Sequence, residues 1–174
     1  TEMRGGILDP NASRVARLRR WAIRRASAYQ ATSNRIAALL GANGFQLSKV
    51  LNLPNAVDTV RFRVDHSAQQ ARRETLVGRR NLVGIFVGRL EAEKDIDLLI
   101  TAWAEAFKGR HDVALLLVGG GTLDEPLRQL VRQLAVQDSV IFAGPQRRVE
   151  EFLGMADFGL LTSQYEGLSN SLLE

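Results

Sequence analysis

The chain of 174 residues is long enough for one domain with a hydrophobic core. Its composition, 45% hydrophobic and 24% charged, is that of ordinary globular proteins and excludes disordered, collagen-like and coiled-coil chains. The absence of cysteine excludes disulfides, thiol catalysis and Cys-type zinc sites. No apolar run reaches the roughly 18 residues of a membrane span and no signal-peptide core is present, so a cytoplasmic location is predicted.

Charge is unevenly distributed along the chain. Residues 1–80 carry 15 Lys and Arg against 5 Asp and Glu, and residues 81–174 carry 8 against 14. The basic excess lies in a predicted amphipathic helix, whose cationic face holds Arg14, Arg17, Arg20 and Arg24. This face fits an anionic membrane surface, a nucleic acid backbone or simply solvent. Because no aromatic residues suited to base stacking are interleaved, no nucleic acid partner is expected, and Trp21 is predicted to anchor in the core or at an interface.

The next segments predict short elements. YQATS is a strand candidate, NRIAALLGANG reads as a helix ended by its glycines, and VLNL reads as a buried strand before the turn at Pro54 and Asn55. Residues 67–80 are polar and Arg-rich, which predicts a short helix and a loop.

The rest of the chain alternates regularly between apolar strands and amphipathic helices. Strands are predicted at 82–88, 113–119, 139–144 and 157–163. Helices are predicted at about 95–108, 123–135 and 148–155, with a last one starting near Leu168. This order indicates an α/β fold, a Rossmann-like parallel sheet with helices on both faces. Ligands of such sheets bind beyond the carboxyl ends of the strands, so functional residues are expected in loops 88–95, 119–123, 144–148 and 163–169.

The first of these loops places Arg89 at a strand end and Lys94 at the entry to a helix. Two cations at a positive helix end suit a diphosphate, although an Arg after a strand is often only a surface ion pair. Asp95 and Asp97 form a D-x-D pattern of the kind that holds divalent cations. Their place in the first turn of a helix favours helix capping instead, and no metal site is predicted.

The second loop contains three consecutive glycines, Gly119, Gly120 and Gly121. They permit the backbone to approach a ligand closely, or they simply make a tight turn. The position that a dinucleotide-binding fingerprint gives to its third glycine holds Asp124, and no G-K-[ST] follows, so neither a dinucleotide loop nor a Walker A loop is present.

The fourth loop leads into the last predicted helix. Its backbone N–H groups form an expected anion site at Gly167, Leu168, Ser169 and Asn170. Glu166 precedes them and Glu174 follows eight residues after Glu166, a spacing of at most roughly 12 Å along a helix. Two carboxylates so placed suit the hydroxyls of a sugar–diphosphate–ribose ligand, whereas a glutamate at a helix start is often only a dipole partner.

Four segments taken in order resemble the nucleotide-sugar-binding domain of family 4 retaining glycosyltransferases with the GT-B fold. They are G-R-L-x-x-x-K at Gly88–Lys94, LLLVGGGTLDEPLRQL, SVIFAG, and S-x-x-E-G-x-S-N-x-L-L-E at Ser163–Glu174, which contains the E-x7-E motif of that family. The resemblance covers about residues 28–174. It departs from the family at Asp95, where glycine is common.

The resemblance implies roles for the matching positions. Arg89, Lys94 and Glu166 are the expected catalytic residues, the two cations at the donor diphosphate and the carboxylate at the hydroxyls of the transferred sugar. Glu174 is expected at the ribose diol and Arg147 near the base. The remaining donor-binding positions are Gly88, Gly119, Gly120, Gly121, Gly167, Leu168, Ser169 and Asn170.

By the same resemblance, residues 1–45 would end the N-terminal acceptor lobe, 46–80 would cross between lobes, and 81–174 would form an incomplete C-terminal donor lobe. The implied enzyme is a metal-independent retaining hexosyltransferase that needs no cofactor. It would move a sugar from a UDP- or GDP-sugar to a glycan or lipid-linked acceptor, in bacterial polysaccharide synthesis at the inner face of the membrane. As part of a longer protein, the chain is expected only to bind the donor. The alternative is a non-catalytic nucleotide- or polyanion-binding α/β module, and the absent glycine fingerprint disfavours an oxidoreductase.

Overall fold

The computed structural model describes Leu18, residues 21–63, 66–164, Glu166 and 168–174, without side chains at 66–68. Arg14, Arg17, Arg20 and Gly167, which the sequence analysis singled out, lie outside the described residues. The chain divides into a first unit, 1–56 with 165–170, and a second unit, 57–164 with 171–174.

The first unit contains a two-stranded parallel sheet of β1 (Tyr29–Ala31) and β2 (Val50–Asn52), with α1 (Asn34–Ala42) between them. Ser33 caps α1, since its hydroxyl accepts a hydrogen bond from the Ile36 N–H at 3.3 Å. Gly44, with φ of 77°, follows the helix in the left-handed conformation that glycine adopts without strain. The helix and the two strands predicted for this region are present. The prediction that the second strand is buried is wrong, because Leu51 is 51% exposed and Leu53, just after the strand, is 50% exposed.

The predicted basic helix is described only at its end, where residues 21–23 are helical. Trp21 is 56% exposed, so of its two predicted places the core is wrong, whereas an interface stays a prediction. Its ring instead lies against the Arg25 guanidinium, 3.6 Å from the ring centroid, in a cation–π contact that needs no burial. Arg24 is exposed but also bonded within the unit, because its guanidinium donates a hydrogen bond to the Asn43 carbonyl at the end of α1.

The second unit is built on a four-stranded parallel sheet in the order β5-β4-β3-β6. Its elements are α2 (His66–Val77), β3 (Leu82–Val87), α3 (Ile96–Ala106), β4 (Val113–Val118), α4 (Asp124–Gln133), β5 (Val140–Gly144), α5 (Val149–Leu153), β6 (Phe158–Gly159) and, from residue 171 onward, α6 (Asn170–Leu173). The predicted α/β class is therefore confirmed.

Both faces of this sheet are buried, as the continuous apolar strands predict. Alternate residues of β4 point to opposite faces: Leu115 and Leu117 join a core with α3 and α4, and Leu116 joins a second core that includes Val77 of α2. The helices thus cover the sheet on both sides and leave its carboxyl edge to the loops.

Strand β6 is much shorter than predicted. The apolar run over residues 157–163 indicated a full strand, yet only Phe158 and Gly159 pair with β3. The Leu160 N–H still donates to the Ile85 carbonyl of β3 at 2.8 Å. Further along the segment, the Gln164 N–H donates to the Glu93 carbonyl in the loop after β3, at 3.2 Å. The segment leaves the sheet because its hydrogen bonds go to the loop after β3.

Candidate functional site

Four loops meet at the carboxyl edge of the sheet in the second unit. This loop cluster comprises residues 88–95 after β3, 119–123 after β4, 145–148 after β5 and 160–164 after β6. Because the strands are parallel, all four loops leave from the same edge, which is where the sequence predicted ligand contacts.

Backbone hydrogen bonds join the first two loops. The Gly88 N–H donates to the Val118 carbonyl at 3.0 Å, the Leu90 N–H donates to the Gly120 carbonyl at 3.0 Å, and the Leu123 N–H donates back to the Leu90 carbonyl at 3.0 Å. These bonds fix the two loops as one rigid surface, which is the kind of preorganised support that a binding site needs.

The glycines of the second loop are required by this packing. Gly119 has φ of 143°, and a Cβ at this position would overlap the carbonyl oxygen of Gly88. A Cβ at Gly121 would overlap the Leu90 carbonyl, and one at Gly120 would lie 2.9 Å from the Pro145 ring. Close approach of neighbouring backbone therefore accounts for Gly119 and Gly121, and the Pro145 ring accounts for Gly120. Contact of these glycines with a ligand stays a prediction.

Arg89 is positioned at the outer side of the cluster. Its side chain is 70% exposed and its guanidinium donates to the Glu93 carboxylate at 2.5 Å. The ion pair is local, between residues four apart, and an exposed pair of this kind holds its partners weakly. The guanidinium can therefore exchange Glu93 for another anion at small cost.

Lys94 ends the 3-10 turn Ala92–Lys94 and is partly buried. Its carbonyl accepts a hydrogen bond from the Thr162 hydroxyl at 2.9 Å, which ties the loop after β3 to the segment after β6. Arg89 and Lys94 thus lie in one braced loop, and their contact with a diphosphate stays a prediction.

Asp95 occupies the cap position of α3 in an unusual conformation. Its φ of 53° is left-handed, and its side chain makes no capping hydrogen bond. The Asp95 carboxylate instead accepts from the Gln164 amide at 3.2 Å. The prediction that this side chain caps the helix is wrong, because the left-handed backbone turns it away from the helix N–H groups, whereas Asp97 does lie in the first turn.

The sequence pattern did not identify Glu91 as part of the cluster. Its carboxylate accepts from the Thr122 N–H at 3.0 Å and from the Thr122 hydroxyl at 2.7 Å. Both hydrogen bonds lower the pKa of the Glu91 carboxyl, and the bond from the Thr122 hydroxyl has the larger effect. Thr122 directly after three glycines was the available signal, since a hydroxyl at a loop-to-helix junction commonly finds a hydrogen-bond partner.

The described part of the predicted anion loop belongs to the first unit. The Asn55 amide donates to the Asn170 side-chain oxygen at 2.7 Å and to the Leu168 carbonyl at 3.4 Å. Ser169 is buried, and Glu166 is partly buried. The Asn55 side chain therefore holds this loop by hydrogen bonds. The sequence analysis assigned Asn55 only to a turn and did not predict this role.

Glu174 belongs to the second unit, where two charged groups act on it. Burial raises the pKa of the Glu174 carboxyl, the positive charge of Arg61 opposes this, and the negative charge of Glu150 adds to it. Arg147 is exposed in the loop after β5, and its carbonyl accepts from the Arg61 guanidinium at 2.9 Å. Arg61 was not among the residues that the sequence singled out.

Within the described part of the chain, no group of three or more His, Asp or Glu side chains is placed to hold a metal ion. Likewise, none of the helices described is long and apolar enough to cross a bilayer.

A parallel sheet covered on both faces by helices is a Rossmann-like fold, which the chain shares with solved glycosyltransferase structures. Residues 67–174 match the protein family described as Glycosyl transferases group 1. Since this match spans more than half of the chain, the chain belongs to that family.

Relatives and solved structures agree with this placement. The chain is 34% identical over 142 residues to the D-inositol 3-phosphate glycosyltransferase of Acidothermus cellulolyticus, covering 75% of the chain and 32% of the relative. It is 39% identical over 93 residues to a GDP-mannose-dependent phosphatidylinositol monomannoside mannosyltransferase of Mycobacterium tuberculosis, covering 53% and 24%. The structure of Anabaena HepE in complex with UDP and glucose superposes with a TM-score of 0.83 at 21% identity, covering 97% of this chain and 47% of that one. The chain therefore spans less than half the length of each of these proteins.

Proposed function

We propose that the chain is the donor-binding part of a retaining, family 4 glycosyltransferase that moves a sugar from a nucleoside diphosphate sugar to a glycan or lipid-linked acceptor. The observation that carries this proposal is the braced loop that presents Arg89 and Lys94 at the carboxyl edge of the sheet. The printed names of the similar proteins, a GDP-mannose-dependent enzyme and a structure holding UDP and glucose, support a donor of this chemistry.

The two cations would bind the donor diphosphate. Arg89 exchanges its exposed partner Glu93 for phosphate oxygens, and Lys94 adds a point charge at the start of α3. As the bond to the sugar breaks, negative charge grows on the departing diphosphate, and fixed positive groups stabilise it without any rearrangement. In this mechanism the protein needs no metal ion.

The carboxylates would hold the two sugars of the donor. Glu166 accepts hydrogen bonds from hydroxyls of the transferred sugar and Glu174 accepts from the ribose diol, while Arg147 lies near the base. Neither carboxylate acts as a nucleophile, since the sugar is transferred with retention by attack on the same face that the diphosphate leaves. The glycines at 88, 119–121 and 167 and the amides of 168–170 complete the proposed donor site.

The proposal also covers the cellular role of the enzyme and its acceptor. We infer a cytoplasmic enzyme of bacterial polysaccharide synthesis, with the basic segment near Arg24 toward an anionic membrane and the acceptor held by another lobe. The 174 residues alone would bind the donor without turnover.

Calorimetric titration with uridine, guanosine and adenosine diphosphates, at two salt concentrations, tests the proposal. We expect one nucleotide to bind preferentially and the Glu174→Ala variant to weaken that binding. Salt-sensitive binding of all three that ignores Glu174→Ala would overturn it in favour of a polyanion-binding module.

A further inference from the structure

Arg61 lies in a tight turn before α2 whose shape is fixed by its own side chains. The Asp58 carboxylate accepts from the Val60 N–H at 2.9 Å and from the Arg61 N–H at 3.1 Å, and the Asp58 carbonyl accepts from the Phe62 N–H at 2.9 Å. An aspartate that bonds to backbone N–H groups two and three residues ahead holds a turn in a single conformation. The backbone at Arg61 is thereby fixed before its side chain makes any distant contact.

The Arg61 guanidinium joins this turn to the loop after β5. Its Nε and Nη2 donate to the same oxygen of Glu150, at 3.0 and 2.8 Å, and Nη2 also donates to the Arg147 carbonyl at 2.9 Å. Glu150 lies in the first turn of α5. One side chain thus fixes both ends of the segment that carries Arg147, and a planar guanidinium does this better than a flexible ammonium.

Arg61 is also the cation that acts on Glu174. Its attraction to the Glu174 carboxylate counters the repulsion from Glu150 and the effect of burial.

We propose that Arg61 is a positioning residue for the base end of the donor site, because its guanidinium fixes the Arg147 loop against the first turn of α5. The inference rests on the proposed function and adds a residue to it. Arg61 touches neither diphosphate nor sugar in this account. It acts through the Arg147 loop on the base.

The test compares three probes on the same variants: the nucleoside diphosphate that binds best, the nucleoside diphosphate with a different base that binds next best, and inorganic diphosphate. For Arg61→Gln we expect about tenfold weaker binding of the best nucleotide, no change for inorganic diphosphate, and a fall to near one in the preference for its base. Arg61→Lys keeps the charge and should recover part of that preference. The matched control is Arg132→Gln, which removes an exposed arginine paired with Glu125 at 2.8 Å on α4 and should behave as the parent chain.

The outcomes separate the two proposals. If the parent chain binds none of the nucleotides, the proposed function fails and this inference fails with it. If the parent binds but Arg61→Gln keeps the full base preference, or weakens inorganic diphosphate equally, Arg61 has only a structural role and the inference is overturned. Circular dichroism of each variant identifies any that has lost the fold, in which case Arg61→Lys decides by the same criterion.

Discussion

Gly119 shows how a single residue type sets the spacing of two loops. Its φ of 143° and the Gly88 carbonyl beside it leave no room for a side chain. We predict that Gly119→Ala lowers the free energy of unfolding by at least about 2 kcal/mol, because the added carbon forces the braced loops apart. Urea denaturation measures this as a lower midpoint at an unchanged slope.

Gly159 provides the matched control for that substitution. It lies in β6, and a Cβ there would meet no atom within 4 Å. Gly159→Ala should change stability by no more than about 0.5 kcal/mol. Equal destabilisation by the two alanines would contradict the role assigned to Gly119.

Asp95 is held in a left-handed conformation that glycine adopts more readily. We predict that Asp95→Gly raises the free energy of unfolding by about 0.5 kcal/mol, since relief of the backbone outweighs loss of the exposed Gln164 contact. Ala135, with φ of 55°, is a second such position away from the loop cluster, and Ala135→Gly should gain about 1 kcal/mol. Differential scanning calorimetry checks both, and a lower Tm for either variant would show that its backbone is not strained.

At the level of elements, one ion pair fastens α2 to the sheet. The two Arg73 end nitrogens donate to the two Asp157 oxygens at 2.9 and 2.7 Å, and Asp157 also accepts from the Val83 N–H at 2.7 Å. The Arg73 hydrogen bond is the main cause that lowers the pKa of Asp157. The pair joins three elements, so its loss should loosen the packing of α2 against β3 and β6.

We predict that Asp157→Asn costs about 1 kcal/mol at pH 7, a value reduced because the Asp157 side chain is 38% exposed. A carboxyl whose pKa is lower in the folded state stabilises the fold above its unfolded pKa of about 3.9, and this stability is lost as pH falls through the folded pKa. The difference between parent and variant should therefore shrink below about pH 4 in urea denaturation. A difference that stays constant with pH would rule out the ionised pair as its cause.

The sequence predicted the elements far better than their ends or their contacts. Strands β3, β4 and β5 and helices α3 and α4 follow from continuous apolar runs alternating with amphipathic segments. β6 was predicted too long, because an apolar run does not reveal that Thr162 and Gln164 bond to the loop after β3. Such contacts are tertiary, and no local pattern encodes them.

The candidate site shows the same division. Arg89 and Lys94 could be predicted because both lie in one short loop after an obvious strand. Arg61 could not, since its partner Glu150 is 89 positions away along the chain. The left-handed backbone of Asp95 was equally hidden, although the glycine common at this place in the family was a signal.

For the whole molecule, the chain belongs to the glycosyl transferases group 1 family, and its second unit is built on a Rossmann-like parallel sheet. The central claim of the proposed function is that the braced loop after β3 binds a diphosphate through Arg89. Its exposed pair with Glu93 is what a ligand would replace.

The most direct test is the affinity of the chain for its best nucleoside diphosphate, measured by calorimetry for the parent, Arg89→Gln and the control Arg132→Gln. We predict at least about tenfold weaker binding for Arg89→Gln, because a charge-assisted contact to phosphate is lost, and unchanged binding for the control. Equal affinity of the parent and Arg89→Gln would contradict the account and remove Arg89 from the donor site.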